Sequence, residues 1–140
     1  MQADLAKIGV EVEIVSYEWA EYLKRSTAKD RDGAVILGAT SDNGDPDNLL
    51  SYFFSCSDSQ GSRTNWCNPK ADDLIRKARS LSDQGERSVL YKEVQQIVHD
   101  EAPELPLATA TVILPMAKSV RNYVMDPLGA HRFGKVDIEE

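Results

Sequence analysis

The sequence predicts an α/β fold, and three patterns in its 140 residues carry that prediction. Val10, Val12 and Ile14 alternate with Glu11 and Glu13, the period-two pattern of a strand with one buried and one wet face. Ala34-Val35-Ile36-Leu37-Gly38 is a short unbroken apolar run, as expected of a strand buried on both faces of a parallel sheet. Between and after these runs, apolar residues recur at helical spacing behind residues that cap helices well. Strands alternating with helices favour a strand, helix, strand unit with a right-handed crossover.

Along the chain, Asp4-Leu5-Ala6-Lys7-Ile8 reads as the last turns of an amphipathic helix ending at Gly9. So short a helix is marginal alone, which places its expected start upstream. The Val10 strand follows, then a helix with Trp19, Tyr22 and Leu23 on one side, then the Ala34 strand. Asp45-Pro46 has the form of an N-cap followed by proline at the first helical position, where a missing N–H costs nothing, and it opens a helix over 46–54. Asn68-Pro69 repeats that form before the stripe Ala71, Leu74, Ile75 and Ala78. Asp83 and Glu86 make a capping-box-like pair at the start of a helix that buries Leu90, Val94, Ile97 and Val98 and ends before Pro103. Leu105 to Met116 is a further β-rich run, with Pro106 and Pro115 suited to strand ends or an edge.

Composition bounds the class without naming a function. With 41% hydrophobic and 28% charged residues the chain can bury a core of ordinary size. A net charge of -7 argues against nucleic acid or an anionic membrane surface as partner, since both demand a basic face. No apolar stretch approaches membrane-spanning length, and no secretion signal precedes Ala3.

The segment Ser41-Asp42-Asn43-Gly44-Asp45-Pro46-Asp47-Asn48 is the best candidate for a binding loop, because ligands of open α/β sheets gather beyond the carboxyl ends of strands. Its aspartates separate by position. Asp45 is the N-cap, and Asp47 lies in the first helical turn, where a carboxylate offsets the macrodipole and is commonly exposed. Asp42 precedes the cap with no helical duty, so two roles stay open for it: closing an Asx-turn onto Gly44, or meeting a ligand. From Gly33 to Ser62 there is no Lys or Arg, while Asp42, Asp45, Asp47 and Asp58 are present, so the local field should favour a cation or an ammonium group. Calcium is the competitor, as in a metal-dependent or enzymatic domain using Asp42, Asp45 and Asp47 together. Counted from Asp42, however, the twelfth position of an EF-hand loop would be Phe53 in place of a bidentate Glu.

Nucleophilic or acid–base catalysis finds little support. His99 lies near a helix C-terminus, where an imidazole commonly serves end carbonyls, and His131 sits in a Gly-rich tail. Gly61-Ser62-Arg63 is no nucleophile elbow, which needs glycines on both sides of the serine. Trp19, Tyr22, Tyr52, Phe53 and Phe54 are more often core than ligand platform, and Trp66 could pack on a neighbouring cysteine.

Several blocks in one order then give the chain a family look. Glu18-Trp19 with Glu21-Tyr22-Leu23-Lys24-Arg25, Asp42 to Asn48, Phe54-Ser55-Cys56 with Trp66-Cys67, Leu90-Tyr91-Lys92, Val98-His99-Asp100 with Ala102-Pro103, and Tyr123-Val124 with Asp126-Pro127-Leu128-Gly129 resemble the C-terminal part of periplasmic solute-binding proteins of peptide ABC importers, the dipeptide binders above all. The resemblance implies the C-terminal lobe portion of a two-lobed, type II periplasmic-binding-protein fold over 1–120, with a tail over 121–140 that crosses back to the other lobe. It implies binding without catalysis or cofactor, in the periplasm, of dipeptides or short peptides for delivery to a membrane permease. Family-5 receptors of this kind also take non-peptide ligands. An aspartate at the position of Asp42 pairs with the peptide's α-ammonium in such receptors, and Thr40, Asn43 and Gly44 are taken with it as the candidate ligand-binding residues of this chain. Where similar dipeptide binders carry a tryptophan shortly before that aspartate, this chain has Gly38-Ala39-Thr40-Ser41. Cys56 and Cys67 flank ten polar, Gly- and Ser-containing residues; a reducing compartment would leave them as thiols, and the export implied by the resemblance selects a disulfide. The expectation is a segment of a longer receptor, holding one wall of the site and prone to self-association.

Overall fold

A computed structural model describes residues 1–28, 30–56 and 63–139, so Asp58 and the Gly61-Ser62 pair lie outside the described residues. It divides into two compact units, Met1–Val35 and Ile36–Glu140. In the first, α1 (Gln2–Ala6) runs into turns that end at Gly9, whose φ of 81° is the left-handed conformation glycine adopts cheaply. The Val10 amide closes the turn on the Leu5 carbonyl at 3.0 Å. α2 (Trp19–Ser26) is capped by the Glu18 carboxylate, which accepts from Ala20 N at 2.9 Å and Glu21 N at 3.4 Å. One turn apart, Arg25 and Glu21 pair at 2.6 Å, and the Arg25 guanidinium lies 4.6 Å from the centre of the Tyr17 ring. Trp19 departs from the core role expected of it: it is 60% exposed and stacks on Tyr22 at 5.7 Å.

The second unit is built on α3 (Pro46–Phe54), α4 (Pro69–Ser80) and α5 (Gln84–Glu101). Each begins on the cap read from sequence. Asp45 accepts from Asp47 N, Asn68 from Lys70 N and Ala71 N, and Asp83 from Glu86 N. The three helices bury one cluster of Phe54, Ala71, Ile75 and Val94, flanked by Leu50, Phe53, Trp66, Leu74, Ile97 and Val98. Tyr91, outside the predicted stripe of α5, is also buried. α5 ends at Ala102, which takes a left-handed φ of 45° before Pro103.

Cys56 and Cys67 are bonded with Cα atoms 4.8 Å apart, as predicted, and the bridge joins the end of α3 to the approach to α4. The Cys56 amide donates to the largely buried Asp72 of α4 at 3.0 Å, so a hydrogen bond repeats the covalent link. Trp66 packs edge-on against Phe54 at 5.9 Å, and its indole N–H donates to Glu101 at 2.6 Å.

The strands are where sequence and structure part. Residues 10–14, 34–38 and 105–116 belong to no strand, and the described residues hold one ladder, β1 (Val120–Arg121) antiparallel to β2 (Asp137–Ile138) in the register Val120↔Ile138. Alternation reports which face of a segment is apolar; a ladder also needs a second backbone at 4.7–4.9 Å, which alternation cannot supply. Most apolar side chains of these segments are accordingly exposed, Ile14 by 70%, Leu105 by 75% and Ile113 by 83%. The predicted right-handed crossover therefore has no flanking strands to connect.

Candidate ligand-binding loop

The loop over 41–48 is tied by its own short polar side chains. Gly44 N donates to Ser41 Oγ at 2.9 Å, Asp45 N to Asn43 Oδ1 at 2.9 Å, and Asp42 N to Asn48 Oδ1 at 3.0 Å. Gly44 sits at φ 72°; a Cβ there would meet Leu128 at an ordinary 3.8 Å, so backbone conformation and not space calls for glycine. These bonds settle one of the two roles left open for Asp42. The amide of Gly44 is taken by the Ser41 hydroxyl, so Asp42 closes no Asx-turn onto it.

Two of the three loop carboxylates are held by arginines distant in sequence. Arg87 of α5 makes a bidentate pair with Asp45, Nη1 to Oδ2 and Nη2 to Oδ1, each at 2.8 Å. The Arg87 guanidinium, followed by the amide of Asp47, holds the Asp45 carboxyl below the usual carboxylate range. Asp47 is half-buried, contrary to the exposed first-turn residue expected: it accepts from Ser51 Oγ at 2.7 Å and from Arg79 Nε of α4 at 3.1 and 3.2 Å. The uncompensated negative field expected of the loop is thus partly neutralised. Sequence reading missed Arg79 and Arg87 because they stand 32 and 42 residues away, on helices whose docking is decided by the core.

Asp42 is left. Its residue is exposed, as are Thr40, Asn43 and Gly44, and among the described residues its carboxylate has no hydrogen bond or ion pair. A recess of about 510 Å³ between α3 and α4 is lined by Asp47, Tyr52, Asp72, Ile75, Arg76 and Arg79 among others, but not by Asp42. Its acidic groups are already paired, Asp47 to Arg79 and Asp72 to Arg76 at 3.2 Å, so the volume carries less chemical meaning than the open carboxylate of Asp42. Among the described residues no three His, Cys, Asp or Glu side chains converge as metal ligands. With Asp45 and Asp47 each on an arginine, the carboxylates a calcium site would share are engaged elsewhere. Of the histidines, His99 is exposed on α5, and His131 Nδ1 lies 2.9 Å from the Tyr123 hydroxyl.

No protein-family model matches the chain. A dipeptide-binding protein of Escherichia coli is 51% identical over 142 residues, covering 99% of this chain and 26% of the relative. Among solved structures, a dipeptide-binding protein of a Pseudoalteromonas species in complex with Met-Leu superposes with a TM-score of 0.83 at 32% identity, over 99% of this chain and 27% of its own. The periplasmic binding protein DppA of Helicobacter pylori, in complex with the peptide STSA, gives a TM-score of 0.83 at 35% identity, over 99% and 28%. The chain is homologous to a segment of the dipeptide-binding proteins. It spans about a quarter of the length of the curated relatives it matches. The relatives it matches are the ones the sequence resembles, and its fold is that of a portion of the periplasmic binding proteins. The dipeptide-binding relatives are named as binders and not as enzymes.

Proposed function

We propose that this chain is a segment of the substrate-binding component of an ABC importer, from the C-terminal lobe, and that Asp42 receives the α-ammonium of a bound dipeptide or short peptide. One observation carries the proposal. Of three carboxylates on one short loop, Asp45 and Asp47 are each bound by an arginine, while the Asp42 carboxylate stands exposed with no partner among the described residues, on a backbone already tied by Ser41, Asn43 and Asn48. An exposed carboxylate on a pre-organised loop meets an ammonium group at low ordering cost. Thr40, Asn43 and Gly44 would line the peptide's first residue. The relatives' names support the ligand class, and two of the similar structures were solved with peptides.

In this reading residues 1–120 belong to the lobe and 121–140 cross to its counterpart. The receptor works in the periplasm, makes and breaks no bond, closes its two lobes on the ligand and is then recognised by the permease.

Calorimetry of a receptor that carries this segment tests the assignment. Asp42→Asn is expected to weaken a dipeptide by about 2–5 kcal/mol, the range for removing one partner of a desolvated, hydrogen-bonded charge pair. Asp47→Asn, which loses a contact to Arg79, should change affinity little. Equal losses at both positions, or none at Asp42, would refute it.

A further inference from the structure

We infer that Arg87 is a positioning residue for this site: by gripping the N-cap of α3 it sets where the Asp42 carboxylate stands. The inference rests on the reading of Asp42 as the ammonium partner. A single guanidinium makes four hydrogen bonds to three elements. Two go to the carboxylate of Asp45 at 2.8 Å, one from Nη2 to the Tyr91 hydroxyl of α5 at 3.1 Å, and one from Nε to the Ala78 carbonyl in the last turn of α4 at 3.1 Å. Its side chain is 22% exposed, and its centre lies 5.4 Å from that of the Tyr91 ring, so the fork is fixed on every side.

Capping alone does not need this arginine. Asp45 Oδ1 already accepts from Asp47 N, and a neutral asparagine caps a helix as well as an aspartate does. The bidentate pair adds a rigid tie between α5 and the residue from which the loop departs. From there the path to Asp42 is short: Asp45 N reaches Asn43 Oδ1, Gly44 N reaches Ser41 Oγ, and Asn48, in the first turn of α3, takes the amide of Asp42 itself. The backbone at residue 42 is thus held by groups that follow the N-terminus of α3, and Arg87 is what holds the N-cap itself to α4 and α5. Arg79 differs. It is 57% exposed and grips Asp47 and Ser51, neither of which takes part in the bonds that tie the loop backbone from Ser41 to Asp45.

Two conservative substitutions isolate the effect. Asp45→Asn keeps a cap and removes the guanidinium's anionic, bidentate partner; Arg87→Lys keeps the charge and loses the fork. In a receptor carrying this segment, each is expected to weaken a free-amine dipeptide on the order of tenfold, and the double variant no further, because both remove one contact. The N-acetylated form of the same dipeptide has no ammonium for Asp42, and its affinity should stay unchanged in all three. Without ligand, amide exchange at Gly44 and Asp45 should quicken in both single variants while that of the buried turn around Val94 holds. Equal losses for the two peptides together with faster exchange throughout α5 would mean that Arg87 merely supports the fold, and would overturn the proposal. So would unchanged affinity with unchanged exchange at Gly44 and Asp45. Asp42→Asn is measured alongside: a variant that keeps its preference for the free amine defeats the ammonium reading, whereas exchange quickened in the loop alone still supports Arg87 as the residue that positions it.

Discussion

Asp42, Asp45 and Asp47 are chemically identical and lie within six positions, yet their surroundings differ: Asp45 is held by Arg87, Asp47 by Arg79, and the Asp42 carboxylate by none of the described residues. Position in the chain foretold part of this: Asp45 precedes a proline at the first helical position and caps α3, as its place requires. The arginines were not foretold, and they change what each carboxylate does under acid. The Asp45 carboxyl titrates below its ordinary 3.8 in the folded chain, chiefly because of Arg87 and then because of the Asp47 amide. A group whose folded value is depressed contributes its stability in full above the unfolded value, about pH 4, and loses it as pH falls through the folded one. Arg87, held charged more firmly by the same pair, does not titrate in that window. Urea unfolding followed from about pH 5 down to pH 2 should therefore show a steeper loss of stability for the native sequence than for Asp45→Asn. Parallel slopes would mean that the pair contributes nothing to acid stability.

At the scale of elements, α3, α4 and α5 were legible because their signals are local. A cap, a proline and a stripe of apolar residues three and four apart all act within a few turns. The disulfide draws two of these elements together, and closing a loop of this length restricts the unfolded chain by about 3 kcal/mol. Replacing both Cys56 and Cys67 by Ala should lower the unfolding free energy by about that amount without shifting the m-value much. A denaturant midpoint that stays in place would show that the Cys56 amide bond to Asp72 and the Phe54–Trp66 contact hold the joint unaided. The strands fared otherwise. Val10 to Ile14, Ala34 to Gly38 and Leu105 to Met116 have the composition of strands, but composition names no partner, and each lies outside the β1–β2 ladder.

For the whole molecule, the exposed apolar side chains of these segments are the dominant feature. Large apolar surface left in water favours association. The 140-residue chain by itself should accordingly self-associate as its concentration rises, which sedimentation can follow, and should bind dipeptides poorly. A small-molecule site buries most of its ligand's surface, and the Asp42 loop is open. Titrating this chain and a receptor carrying it with the same dipeptides measures the difference. An affinity within tenfold would show that the segment holds a complete site.

The sequence by itself determined α3, α4 and α5 with their caps and the resemblance to dipeptide-binding proteins, which in turn selected the disulfide, because these are written in neighbouring residues or in several short blocks kept in order. It also singled out Asp42 as a residue without helical duty. Tertiary structure alone decided that Ser41 and not Asp42 closes the turn on Gly44, that Asp47 is half-buried against Arg79, and that Arg87 reaches Asp45. The two arginine contacts depend on how α4 and α5 dock through Ala71, Ile75 and Val94. Docking is set by packing between residues far apart in the chain, and no local pattern encodes it.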